Sequence, residues 1–113
     1  MLGGSDIPGA QGATFKCHPR SAIYAVINRT REDGTPKGGW LQQQKLTVHQ
    51  AIKMHTIDAA YAVFDEQVRG SLKKGKFADI VVCDKNLLKI NPGELLKMNV
   101  EMTIVNGKIV YSQ

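Results

Sequence analysis

Cysteine is scarce in this chain: Cys17 and Cys83 are the only two among 113 residues, and their spacing fits no zinc motif. A disulfide between them is open to the chain but is not expected in a cytoplasmic protein. Cys83 lies in an apolar run and reads as a small buried hydrophobe. Histidine is equally sparse. His18, His49 and His55 form neither His-x-His nor His-Glu-x-x-His. On one continuous helix, the offset between His49 and His55 places them about 120° apart around the axis, too far to share a metal. A catalytic zinc normally takes three protein ligands, and these residues do not supply them. There is no Gly-x-Ser-x-Gly elbow and no recognisable Ser–His–Asp set. No apolar run approaches the roughly 20 residues of a membrane span. The first residues, Met1-Leu2-Gly3-Gly4-Ser5-Asp6, have no basic n-region and no h-region. No membrane partner and no signal peptide are expected, and a cytoplasmic location follows as the default.

What is present suits one domain with a modest core. Hydrophobic residues make up 42% of the chain, which argues against wholesale disorder. Fifteen Lys and Arg against ten Asp and Glu leave a formal charge of +5. The positive residues are dispersed, and only Arg69, Lys73, Lys74 and Lys76 cluster. No aromatics interleave with them, so nucleic acid is not the expected partner. The charge reads as a lysine-rich surface.

The residue pattern predicts an α+β fold. Residues 1–18 are rich in Gly and read as loop. Pro19 suits the first position of a helix, since it has no N–H to leave unsatisfied there. The helix expected over 19–31 has Ala22, Ile23, Val26 and Ile27 on one face. Residues 32–45 form a long polar connection broken by Gly34, Pro36, Gly38 and Gly39, with Trp40 and Leu41 expected to anchor it to the core. Thr47 followed by Gln50 is a capping box. It starts a second helix lined by Val48, Ala51, Ile52, His55 and Ala59, expected to run to 60–63. Residues 78–83 are a continuous β-branched run, the pattern of a strand covered on both faces. Asn91-Pro92-Gly93-Glu94 opens a short helical turn through Lys97. Two strands, 100–105 and 108–111, flank Asn106-Gly107, the strongest short hairpin signal because a type I′ turn needs positive φ at both residues.

Three groups of residues invite a chemical reading. Gly70-x-x-x-x-Gly75-Lys76 has the outline of a phosphate loop, but Phe77 stands where Ser or Thr would bind Mg²⁺, and a strand follows instead of a helix. It reads as a glycine-bounded turn. Asp65 and Glu66 are sequence neighbours that point apart and read as solvated surface. In Gly4-Ser5-Asp6-Ile7-Pro8, Asp6 sits just before a loop and by its local chemistry is a turn residue.

Taken in order, these segments resemble the C-terminal part of the metal-dependent amidohydrolase superfamily, most closely its amidohydrolase-3 branch. Gly4-Ser5-Asp6-Ile7-Pro8 is similar to the end of that family's last barrel strand, and Ala22-Ile23-Tyr24-Ala25-Val26-Ile27-Asn28-Arg29 to the helix after it. Residues 44–51 and 55–62 are similar to the next helix. The run from Gly70 to Asp84 resembles the strand that leaves the barrel for an accessory β-sandwich, and residues 102–111 its terminal hairpin. The resemblance implies a remnant of a (β/α)8 barrel end over 1–66 and sandwich strands over 67–113. Together they are expected to form one compact unit with two main helices packed on a small, mostly antiparallel sheet. A whole barrel needs roughly 250 residues.

The implied activity is hydrolysis of a non-peptide C–N bond. Asp6 stands at the family's metal-approaching aspartate, which also takes a proton from the attacking water. The implied cofactor is a divalent metal, zinc above others, in the whole enzyme. The family's metal-binding histidines and its bridging residue match nothing in this chain, so the isolated chain is expected to be inactive and to hold no metal. Strands evolved to pair with absent partners expose edges and apolar faces. The chain is accordingly expected to form a homo-oligomer, to swap elements, or to join a missing N-terminal barrel portion. The other reading is a non-enzymatic module that folds as an oligomerising or binding domain.

Overall fold

The computed structural model describes residues 19–113. Helix α1 (Pro19–Asn28) begins at the expected proline and buries Ser21, Ile23, Tyr24 and Ile27 on one face. It stops three residues short of the expected end because Arg29 turns left-handed, at φ 59°. The Arg29 side chain then holds the following loop. Its Nε donates to the Trp40 carbonyl at 3.0 Å, and its guanidinium lies 5.0 Å from the centre of the Trp40 ring. Trp40 is 62% exposed and Leu41 is also exposed, so neither anchors the loop to the core as expected. Backbone bonds do that work instead, from Trp40 N to Arg29 O and from Leu46 N to Val26 O.

Helix α2 (Val48–Met54) carries the predicted capping box. Gln50 N donates to Thr47 Oγ1, and Thr47 N donates to Gln50 Oε1. The single long helix expected here is in fact two, α2 and α3 (Ile57–Ala62). The break falls at His55 and Thr56, where the turn tightens to bonds from His55 N to Ile52 O and from Thr56 N to Lys53 O. The Thr56 hydroxyl also donates to Ile52 O at 2.9 Å. Such back-bonding offers the backbone an alternative to the helical ladder. A paired loop then returns over α3. Gly70 (φ 83°) lies so close that a Cβ there would sit 2.7 Å from Ala60 Cβ and 2.9 Å from Ile57 Cα. No other residue fits that approach.

The sheet has three antiparallel strands in the order β1 (Ile80–Cys83), β2 (Val100–Val105), β3 (Lys108–Ser112). Its register pairs Ile80 with Ile104 and Thr103 with Tyr111. Asn106 and Gly107 both take positive φ, as the hairpin signal required. The Asp79 carboxylate accepts from Asn106 N at 2.8 Å and so ties the hairpin tip to the start of β1. Between β1 and β2, Asn91 caps a 3₁₀ helix (Pro92–Lys97) through its bond from Gly93 N.

The buried cluster consists of Ile23, Tyr24 and Ile27 from α1, Ala51 from α2 and Leu95 from the 3₁₀ helix. Val26, Val48, Leu87, Ile90 and Leu96 pack around it. None of these residues lies on a strand. The helices therefore pack on the 3₁₀ helix rather than on the sheet, which differs from the expected layering. The strand pattern that predicted two covered faces is also not met within the described residues: Val81 is 58% exposed and Val82 is exposed on the opposite face. Cys83 is only half-buried. No helix among the described residues is long and apolar enough to cross a membrane.

Candidate functional site

Asp6, the residue singled out for catalysis and metal approach, lies outside the described residues, as do Cys17 and His18. Among the described residues, no three His, Cys, Asp or Glu side chains come together as metal ligands. The part of the chain described here does not fit a metal by itself.

The two described histidines differ in setting. His49 is exposed on α2. His55 closes α2 and is half-buried, with its Nε2 buried and without a hydrogen-bond partner. Burial holds its imidazole below the ordinary histidine range. The reason is physical: the imidazolium would lose water and gain no acceptor.

The glycine-bounded run is a turn. Lys76, the residue that would meet a phosphate, instead donates from Nζ to the carbonyls of Glu66 and Arg69. Arg69 is likewise engaged, pairing with Asp65 at 3.1 Å and lying 5.5 Å from the centre of the Phe77 ring. Two of the four clustered cations thus hold their own loop together, leaving Lys73 and Lys74 exposed beside them. Glu66 departs from the solvated surface role expected of it. It is half-buried, and its Oε2 is buried without a partner, as is Ser71 Oγ. Sequence reasoning missed both, because their burial comes from the loop's return over α3 and leaves no periodic mark.

A cleft of about 420 Å³ lies between the start of α1 and the sheet, lined by Arg20, Asn99, Val100, Thr103, Tyr111 and Gln113. Arg20 Nη1 donates to the Met98 carbonyl at 2.6 Å. Asn99 gives its Nδ2 to Asp84 Oδ2 at 3.2 Å. Among the described residues that line it, no side chain is a carboxylate or an imidazole. Cys83 is poorly suited as a nucleophile. Burial, with Asp84 and Glu101 nearby, raises its thiol above the usual cysteine range and disfavours the thiolate.

Comparison with known proteins supplies what the described geometry lacks. The sequence profile of the amidohydrolase family matches residues 1–111. YtcJ of Bacillus subtilis (strain 168), named as an amidohydrolase, is 28% identical over 98% of this chain and 20% of its own length. The N-substituted formamide deformylase of Arthrobacter pascens is 27% identical over 84% of the chain and 17% of its own length. The 5-methylthioadenosine/S-adenosylhomocysteine deaminase of Symbiobacterium thermophilum is 36% identical over 58% of the chain. The crystal structure of an amidohydrolase from Thermotoga maritima MSB8 shares the fold over 63% of the chain and 17% of its own, with a TM-score of 0.53 at 24% identity. The chain thus spans about a fifth of the length of the curated relatives it matches. With its sequence matched almost from end to end, the chain belongs to the amidohydrolase family, on its amidohydrolase-3 branch.

Proposed function

We propose that this chain is the C-terminal part of a metal-dependent amidohydrolase that hydrolyses a non-peptide C–N bond, and that it is inactive when isolated. The observation that carries the reading is the disparity of lengths: the family matches 111 of 113 residues here, yet those residues are about a fifth of each curated relative. The relatives' names, an amidohydrolase, a formamide deformylase and a deaminase, share the breaking of a C–N bond. Residues 1–66 are read as the barrel end and 67–113 as the sandwich strands.

Asp6 is the residue of this chain assigned to the chemistry. Its carboxylate accepts a proton from the water that attacks the carbon of the scissile bond, a general-base role that needs hydrogen-bond reach to that water. A divalent metal, zinc in this reading, would be held mainly by ligands that the described residues do not provide.

A chimera tests this reading. The chain replaces its counterpart in the Arthrobacter pascens deformylase, and hydrolysis of an N-substituted formamide is measured. A folded, active chimera that loses activity on Asp6→Asn supports the assignment. A folded chimera whose activity survives Asp6→Asn refutes the role of Asp6. Turnover by the isolated chain refutes its inactivity.

The exposure of Val81, Val105, Ile109, Val110 and Tyr111 on the sheet favours a second reading, a non-enzymatic module that works by association. A stable homo-oligomer in sedimentation, together with a chimera that does not fold, would select it.

A further inference from the structure

Helix α3 ends in a way that carries strain. Asp65 N donates to Ala60 O at 2.9 Å and Phe64 N to Tyr61 O at 3.1 Å, the bond pair of a Schellman ending. That ending needs a left-handed residue, normally glycine or asparagine. Here the residue is Phe64, at φ 61°. A bulky side chain in this conformation is a backbone outlier and persists where something else over-determines it. Among the described residues nothing repays the strain through burial, since Phe64 is 88% exposed. Tyr61 and Val63 beside it are exposed as well, and Leu72 projects from the loop that Gly70 lays against α3. The Asp65–Arg69 ion pair borders this apolar tip. An exposed aromatic anchor with apolar neighbours and a charged rim has the make-up of a binding hot spot.

We infer that the tip of α3, with Phe64 at its centre, docks into an apolar recess on the upstream portion of the amidohydrolase polypeptide. This rests on the reading of the chain as the C-terminal part of a longer enzyme. The relatives carry about four-fifths of their length outside the matched segment, so in such an enzyme most of the surface the tip can meet belongs to the same polypeptide. A covalently attached surface also meets the tip at a millimolar effective concentration, which a second copy in dilute solution does not reach.

The test is Phe64→Asn, because asparagine tolerates the left-handed turn and removes the ring. It is made both in the isolated chain and in the deformylase chimera, with urea unfolding as the readout. In the isolated chain the unfolding equilibrium constant falls about five-fold, as strain is relieved and no packing is lost. In the chimera it rises about ten-fold, as the docked ring is lost. This opposite response supports the docking surface. A folded chimera that is stabilised or unchanged overturns it while leaving the C-terminal reading intact. Destabilisation of the isolated chain also overturns it, since the ring would then be packed within its own chain. An isolated chain that sediments as a dimer and is dissociated by Phe64→Asn assigns the tip to a second copy and overturns it as well. A chimera that does not fold even with Phe64 in place removes the C-terminal reading, and the docking surface with it.

Discussion

Leu95→Ala tests where the stability of this chain resides. Leu95 is the largest fully buried side chain among the described residues, at 0% exposure. It comes from a 3₁₀ helix and is clustered with Ile23, Tyr24 and Ile27 of α1 and Ala51 of α2. Truncating a fully buried leucine costs about 2–5 kcal/mol, from lost transfer energy and the cavity left behind. The middle of that range, about 3 kcal/mol, applies because helices contact the site from more than one side and cannot collapse freely. For a chain of this size that is on the order of a third of the total stability. It corresponds to a fall in Tm of roughly 15 °C. Leu95→Met, which conserves volume, is expected to cost less than about 1.5 kcal/mol. The control is Val110→Thr on β3, where the side chain is 62% exposed and β-branching is retained; it should stay within about 0.5 kcal/mol. Urea unfolding followed by circular dichroism gives all three values. If Leu95→Ala costs less than about 1 kcal/mol, or less than Val110→Thr, the core does not lie between the helices and the 3₁₀ segment.

Two further perturbations follow from local chemistry. Thr47→Ala removes the side-chain acceptor for Gln50 N at α2 while leaving the backbone bond from residue 47 N to Gln50 Oε1, and should destabilise the chain by about 1 kcal/mol in the same denaturation assay. The double change Thr47→Ala/Gln50→Ala should cost somewhat less than the sum of the single changes, because the two side chains also bond each other at 3.0 Å. His55 is held below its unfolded value of about 6.5 by burial, so the unfolded state binds its proton first as pH falls. Its contribution to stability is complete above that pH and is lost progressively as pH drops from about 6.5 through the folded value. Denaturation curves at pH 8 and pH 5 should show this loss, and His55→Gln should reduce it; an unchanged difference would place the acid sensitivity elsewhere.

Local elements were legible in the sequence because local chemistry specifies them. Pro19 starts α1, Thr47 and Gln50 cap α2, Asn91 and Pro92 open the 3₁₀ helix, and Asn106-Gly107 turns the hairpin. Each device acts within a few residues, so spacing along the chain suffices to identify it. The order of these elements also carried the family resemblance, which the end-to-end match to the amidohydrolase family bears out.

Other features depended on the tertiary structure. The break at Thr56 arises from a side-chain bond that competes with the helix, and helical periodicity runs through it unmarked. The glycine-bounded run 70–76 read as a turn from its sequence, but that the carbonyls of Glu66 and Arg69 meet the Lys76 amine was decided by how the loop folds back. The run 78–83 is patterned for cover on both faces, yet the described residues cover it only in part, leaving Val81 and Val82 exposed. Apolar pattern records what a segment needs to bury, because transfer from water is a property of the side chain itself. What buries it, and whether that cover is within reach, is a matter of three-dimensional arrangement, and only the tertiary structure decided it.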